Sequence, residues 1–205
     1  LSSELEFSVT LKDTVHNLYY MSPSFSDDGT ATIHTKTYSF VPSTTPSVED
    51  IKISKNIWEF TPDGVMGGKS KGSIQFLNTE GFDYISFRGN VNTDGGGFLM
   101  FRSKVDKKDL KEFSKISFLA RGNDEKYYFH IKSRGQVLPW VRHLKEFKVG
   151  KDWKEYVLNI EDFVGYSNSR TFNKSINPKK IKLLGIEAYG RDHEVELDIA
   201  KIKIF

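Results

Sequence analysis

The chain reads as an all-β protein, a sandwich of short strands with very little helix, and three observations predict it. Apolar residues alternate with polar ones over runs of five to ten residues rather than at helical spacing. Turn residues interrupt those runs at intervals of roughly a dozen, the spacing of a sandwich. The composition is rich in strand-favouring aromatics, with 16 Phe and 9 Tyr among 205 residues. A chain of this length can bury one substantial core, so the default is one domain with an appendage.

The first 41 residues carry two alternating runs, Leu5–Leu11 and Thr30–Tyr38, with the turn-rich Ser26-Asp-Asp-Gly29 between them, and read as a strand pair. Val41-Pro-Ser-Thr-Thr-Pro-Ser47 has no apolar period and reads as a linker. This divides the chain into residues 1–47, the strand pair with its linker, and residues 48–205, the sandwich. From Trp58 onward the candidate strands are Ser73–Leu77, Tyr84–Arg88, Phe98–Lys104, Lys115–Arg121, Lys126–Ser133, Val141–Val149, Lys154–Ile160, Lys182–Tyr189 and Val195–Phe205. Only Lys107–Phe113 and Ile160–Phe163 have the pattern for a turn or two of helix. In the last strand Val195, Leu197 and Ile199 alternate on odd positions, then Ile202 and Ile204 on even ones. One residue has been inserted, and a bulge near Ala200 keeps the apolar set facing inward. The opposite face, Glu194, Glu196 and Asp198, reads as a solvated outer face ahead of a metal site.

Several function classes are excluded early. Thirty basic against 27 acidic residues, scattered along the chain, leave no nucleic-acid footprint. The absence of Cys removes disulfides, a thiolate nucleophile and Cys-ligated zinc. No apolar run reaches the length of a membrane span, and no signal peptide opens the chain, which begins at Leu1 rather than Met. A targeting segment removed by processing is compatible with such a start, and the compartment stays open. The five histidines form no close pair and no Gly-x-Ser-x-Gly elbow occurs, so no catalytic residue, metal ligand or cofactor site is expected and the chain reads as a non-enzyme. Asn173-Lys-Ser175, the one glycosylation sequon, is too common by chance to imply secretion.

Asp63-Gly-Val-Met-Gly-Gly-Lys-Ser-Lys-Gly72 imitates a phosphate-binding loop without being one. Such a loop needs four residues between its first glycine and Gly-Lys-Ser, whereas three separate Gly64 from Gly68. The position where the motif wants glycine holds Asp63, whose charge would repel phosphate. Strand-like alternation follows where a helix is required, and Pro62 interrupts the approach.

These motifs resemble the core signature of the complex I intermediate-associated protein 30 family: Trp58, then Asp63–Ser70, then Phe87-Arg-Gly-Asn-Val91 and Gly95-Gly-Gly-Phe-Leu-Met-Phe-Arg-Ser103. Phe118–Asn123, Tyr127-Tyr-Phe129, Trp153 with the run to Phe163, Leu184–Tyr189 and Val195–Ile199 continue the likeness, which covers about residues 48–205. The resemblance implies a galactose-binding-like jelly-roll β-sandwich, related in shape to carbohydrate-binding modules. It also implies a protein-binding assembly factor or chaperone of respiratory complex I, mitochondrial in a eukaryote and soluble or exported in a bacterium. A carbohydrate or small-ligand module on the same fold is the alternative, since a fold does not fix a task.

Within that frame Gly64, Gly67, Gly68 and Gly72 read as a structural turn between strands, with Asp63 capping the loop and Met66 plugging the core. Lys69 and Ser70 read as exposed residues at a strand entrance. Gly95, Gly96 and Gly97 read as a second tight entry held by Asp94. Arg102 follows Phe98 and Met100 on one strand face, and reads as half of an ion pair ahead of an open cleft residue; exposed, it would recognise an anionic or polyhydroxyl ligand. Trp140, Arg142 and His143 follow Pro139 at a loop-to-strand entry, where Trp140 would either stack on a sugar, dock a protein or sit half-buried at the rim. Tyr166, Asn168 and Arg170 form a polar loop bordering the same surface, and His130 with Lys132 reads as surface. Ligand or partner contact is therefore expected at Arg102, Trp140, Arg142 and Tyr166.

Overall fold

The computed structural model describes residues 16–28, 31–40, 49–79, 81–105, 113–167, 170–172 and 174–205. The chain separates into two compact units, Leu1–Thr45 and Pro46–Phe205. In the first, β1 (His16–Phe25) and β2 (Ala31–Phe40) pair antiparallel from Phe25↔Ala31 to His16↔Phe40. The expected partner of the second strand was Leu5–Leu11, which lies outside the described residues. Pairing through the adjacent turn closes a far shorter loop than reaching back to residue 5 would, and the turn then fixes the register.

The second unit holds two antiparallel sheets. Its strands are β3 (Glu49–Asp50), β4 (Trp58–Pro62), β5 (Lys71–Thr79), β6 (Phe82–Val91), β7 (Phe98–Lys104), β8 (Lys115–Gly122), β9 (Lys126–Ser133), β10 (Arg142–Lys148), β11 (Lys154–Asn159), β12 (Val164–Ser167), β13 (Arg170–Phe172), β14 (Ile181–Tyr189) and β15 (His193–Ile204). A seven-stranded sheet runs β13-β12-β10-β9-β14-β7-β4, and a six-stranded one runs β11-β8-β15-β6-β5 with β3 paired to β15. Helix among the described residues is limited to 3-10 turns at Asp63–Met66, Ile160–Asp162 and Pro178–Lys180. Most of the candidate helical stretch at 107–113 lies outside the described residues.

Alternation fills the space between the sheets. Leu99 and Phe101 of β7, Tyr127, Phe129 and Ile131 of β9, and Leu184, Ile186 and Ala188 of β14 point inward against Ile85 and Phe87 of β6 and Val195, Leu197 and Ile199 of β15. Phe87 meets Phe101 across the layers at 5.1 Å between ring centroids, edge to face, and Phe118 stacks on Tyr156 at 5.5 Å. Pro62 ends an edge strand, where its missing N–H deprives no neighbour, so the proline does not interrupt the approach. The bulge falls between Ala200 and Lys203, with Lys201 at φ +49°. Beyond it Ile202 and Ile204 return to the core, as the shift from odd to even apolar positions requires. The region read as a polar loop at 166–170 is instead the hairpin β12–β13, paired to the edge of β10. A two-strand edge hairpin needs only backbone pairing and leaves little apolar alternation to read.

Candidate functional site

Asp63 organises the glycine-rich segment. Fully buried, its carboxylate accepts from the Ser70 backbone N–H at 3.0 Å, the Ser70 hydroxyl at 2.6 Å, the Gly97 N–H at 2.7 Å and the Phe98 N–H at 3.2 Å. It thereby ties the 63–70 loop to the 95–97 loop. Burial pushes the Asp63 carboxyl up, but the Ser70 hydroxyl and the Gly97, Phe98 and Ser70 amides outweigh it and hold the pKa below the usual carboxylate value. Two glycines make room for this clamp: a Cβ on Gly68 would stand 2.2 Å from the Asp63 carboxyl carbon, and one on Gly96 would stand 2.5 Å from Oδ2. Gly67 turns the chain at φ +88°, a conformation that favours glycine.

This arrangement corrects two readings. Ser70 is buried against Asp63 and also receives the Asn92 N–H at 3.0 Å, while Lys69 is exposed and pairs with Asp94. Met66 is not a core plug, being 60% exposed beside Val65. The loop interior is taken up by the Asp63 carboxylate, so the 3-10 turn carries its apolar side chains outward.

Met66 instead forms one wall of a cleft of about 340 Å³ on the outer face of the seven-stranded sheet. The floor is Phe98 and Met100 of β7, Glu187 and Tyr189 of β14 and Arg142 of β10; Pro139 and Trp140 form the other wall. Arg142, Glu187, Lys132 and His130 are buried on this face, and the first three find hydrogen-bond partners. Arg142 donates to Glu187 in bidentate fashion, Nε to Oε2 at 2.8 Å and Nη2 to Oε1 at 2.5 Å. Arg142 also donates from Nη1 to the Trp140 carbonyl at 3.1 Å, and its guanidinium lies 5.0 Å from the Tyr189 ring centroid. Lys132 Nζ donates to the Leu138 carbonyl at 2.7 Å and the Pro139 carbonyl at 3.4 Å. Two buried cations thus grip three successive carbonyls of the loop that carries Trp140.

Burial pushes the Glu187 carboxyl up, but His130 and Arg142 beside it bring it below its usual value, so it is ionised. Burial favours the neutral form of Arg142, and Glu187 more than restores the charge. His130 is driven down by its own burial, only partly offset by Glu187 at 3.5 Å, so it is neutral near pH 7. Neither ring nitrogen of His130 has a hydrogen-bond partner. The surface readings of His130 and Lys132 are therefore overturned: both are buried, Lys132 with its ammonium on the carbonyls of the 134–141 loop and His130 against Glu187 of β14.

The remaining predicted residues do not converge on the cleft. Arg102 lines a separate cleft with Trp58, Glu59 and Lys104, and its Nη2 lies 3.8 Å from the Glu59 carboxylate, an exposed partner rather than a buried one. Tyr166 pairs with Arg142 across β10–β12 but does not line the cleft. Glu187 and Tyr189 were not singled out by sequence reasoning. Their signal is the alternation in Leu184-Gly-Ile-Glu-Ala-Tyr189, which turns a carboxylate and a tyrosine outward between inward Leu184, Ile186 and Ala188. Among the described residues no three His, Cys, Asp or Glu side chains gather as metal ligands, and no helix is long and apolar enough to cross a membrane.

Residues 45–199 match the family model described as complex I intermediate-associated protein 30. Among solved structures the chain is similar to the family 11 carbohydrate-binding module of the cellulosomal cellulase Lic26A-Cel5E of Clostridium thermocellum, at 15% identity and a TM-score of 0.60, covering 73% of this chain and 87% of that one. It is also similar to the Clostridium thermocellum family 11 module in complex with a beta-1,3-1,4-mixed-linked tetrasaccharide, at 13% identity and a TM-score of 0.61, covering 77% and 95%. At these identities the likeness is one of fold, the jelly-roll sandwich. A search of curated proteins gives no match.

Proposed function

The chain belongs to the complex I intermediate-associated protein 30 family, and we propose that it is a non-enzymatic protein-binding module of the respiratory complex I assembly type, using the cleft between Met66 and Trp140 as its docking surface. The observation that carries the reading is the apolar rim. Met66 on one wall and Trp140 on the other stand open to solvent at 60% and 39%, and their chain neighbours Val65, Val137 and Leu138 are exposed as well. Grouped apolar exposure of this kind marks a surface that is covered in use, and Met and Trp are side chains suited to a protein partner. The polar floor supports the same choice, because Arg142 and Glu187 are satisfied by each other.

The domain assigned this work is 48–205. A carbohydrate ligand is the second reading, favoured by Trp140 and Tyr189 sharing one cleft, since aromatic faces stack on sugar rings. Affinity capture from a respiring cell extract, with the chain and its Met66→Asp and Trp140→Ala variants as baits, tests the first. Recovery of respiratory-complex subunits by the parent and loss of them with both variants is expected. Capture that survives both variants, or no such subunit above background, refutes it. Retention of the chain on a mixed-linked β-glucan column, abolished by Trp140→Ala, would select the second reading.

A further inference from the structure

The outer face of the six-stranded sheet carries a charged cavity that the cleft does not use. It encloses about 400 Å³ and is lined by Arg88, Arg121, Lys151 and Glu196 over a floor of Asp198. Asp198, read from sequence as part of a solvated stripe, is only 3% exposed and works as a hub. Its Oδ2 accepts from Arg121 Nε at 2.8 Å, and its Oδ1 lies 2.8 Å from Arg88 Nη2. Arg88 is fixed further by Nη1, which donates to the Phe87 and Leu197 carbonyls at 3.0 Å each. The Arg121 guanidinium is backed by the Trp153 ring, 4.9 Å from its centroid.

Both arginines are thus held in place before any ligand arrives, which lowers the entropy lost on binding. Asp198 engages only the Nε edge of Arg121, while its side chain stays 40% exposed at the cavity. A guanidinium with its terminal amino groups left over is a fork for an oxyanion. Lys151, exposed on the loop between β10 and β11, adds a third positive charge. Glu196, which is acceptor-only when ionised, stands on the same wall and suits a hydroxyl donor.

We propose that this cavity binds a small hydroxyl-bearing oxyanion, a sugar phosphate or a sugar acid, with Arg121, Arg88 and Lys151 on the anionic group and Glu196 on a hydroxyl. The site lies on the opposite sheet from the Trp140 cleft.

The test is an amide-resolved NMR titration of the full chain with glucose 6-phosphate, glucuronate, inorganic phosphate and neutral glucose. Saturable shifts at Gly122, Asn123 and Lys151 are expected with glucose 6-phosphate or glucuronate, whichever anion the site prefers, and none with glucose. Added salt weakens the binding. Lys151→Glu, on an exposed loop and safe for folding, is expected to weaken it at least tenfold, and Arg121→Gln to abolish it. Glucose binding as well as the anions, no saturable shift with either anion, or unchanged affinity in Lys151→Glu overturns the site. Equal affinity for inorganic phosphate and glucose 6-phosphate overturns the part given to Glu196.

Discussion

Replacing Asp63 with asparagine keeps the shape of the clamp and removes its charge, which makes it the sharpest probe of what the glycine-rich segment does. In the parent, Oδ2 takes three donors, from Ser70 Oγ, Gly97 N and Phe98 N, and Oδ1 takes the Ser70 N–H. Asparagine has one oxygen. Its best orientation leaves that oxygen at the three-donor position and aims its own NH2 at the Ser70 N–H. The Ser70 N–H and the new NH2 are then both buried donors without an acceptor, at about 1–3 kcal/mol each. The three surviving bonds lose their charge assistance, a further loss on the order of 1 kcal/mol in all. A total near 3–7 kcal/mol is expected, a large part of the stability of an ordinary domain. Urea unfolding of Asp63→Asn against the parent measures it as a lower midpoint at unchanged slope. The pH dependence fixes the sign: a carboxyl whose folded pKa lies below its unfolded value near 3.8 stabilises fully above that value. That contribution is lost as pH falls through the folded pKa, so parent and variant converge below about pH 4. A stability difference below about 0.5 kcal/mol at pH 7, or one that persists undiminished at pH 3, would refute the clamp.

Three further outcomes follow from the same geometry. Gly68→Ala places a Cβ 2.2 Å from the Asp63 carboxyl carbon, so it should destabilise the parent by about 2 kcal/mol or more but do far less in an Asp63→Ala background, which removes every atom it meets, a coupling that a double-mutant cycle in urea reads directly. Glu187→Leu alone strands the buried Arg142 guanidinium and should cost about 3–5 kcal/mol, whereas Glu187→Leu with Arg142→Met should recover most of it in thermal unfolding. Lys201→Gly relieves a left-handed backbone at φ +49° in the β15 bulge and should leave stability equal or raise it by up to about 1 kcal/mol; a loss beyond that in calorimetry would show the lysine side chain, 4.7 Å from the Phe82 ring centroid, to matter more than the strain.

Period-two alternation was enough to locate β7 and β9 at their observed bounds and to place the β15 bulge from its change of apolar parity. The same signal fails where a polar residue is buried by something distant in sequence. His130 and Lys132 alternate outward as surface residues do, yet both are buried, Lys132 with its ammonium on the carbonyls of the 134–141 loop and His130 against Glu187 of β14. Asp198 sits in an acidic stripe, and the arginines that bury it come from β6 and β8, far away in the chain. Arg102 and Trp140 illustrate the converse. Both have the chemistry of a cleft, but which cleft depends on where each strand lies in the sheet, and local sequence does not encode strand order.

The two walls of the Trp140 cleft rest on two different carboxylates, and this explains why the glycine-rich segment is so demanding. Asp63, buried, fixes the turn that projects Met66. Glu187, also buried, fixes Arg142, which holds the carbonyl of Trp140. Neither carboxylate offers its charge to a ligand, since each is consumed by donors of its own chain. The apolar residues they present are therefore rigidly placed yet open to solvent, and rigid placement lowers the ordering entropy that a docking surface loses on binding. Loss of either carboxylate should loosen one wall and leave the other intact. Partner capture by Asp63→Asn and by Glu187→Leu with Arg142→Met should then fall separately, and fall further when the two are combined.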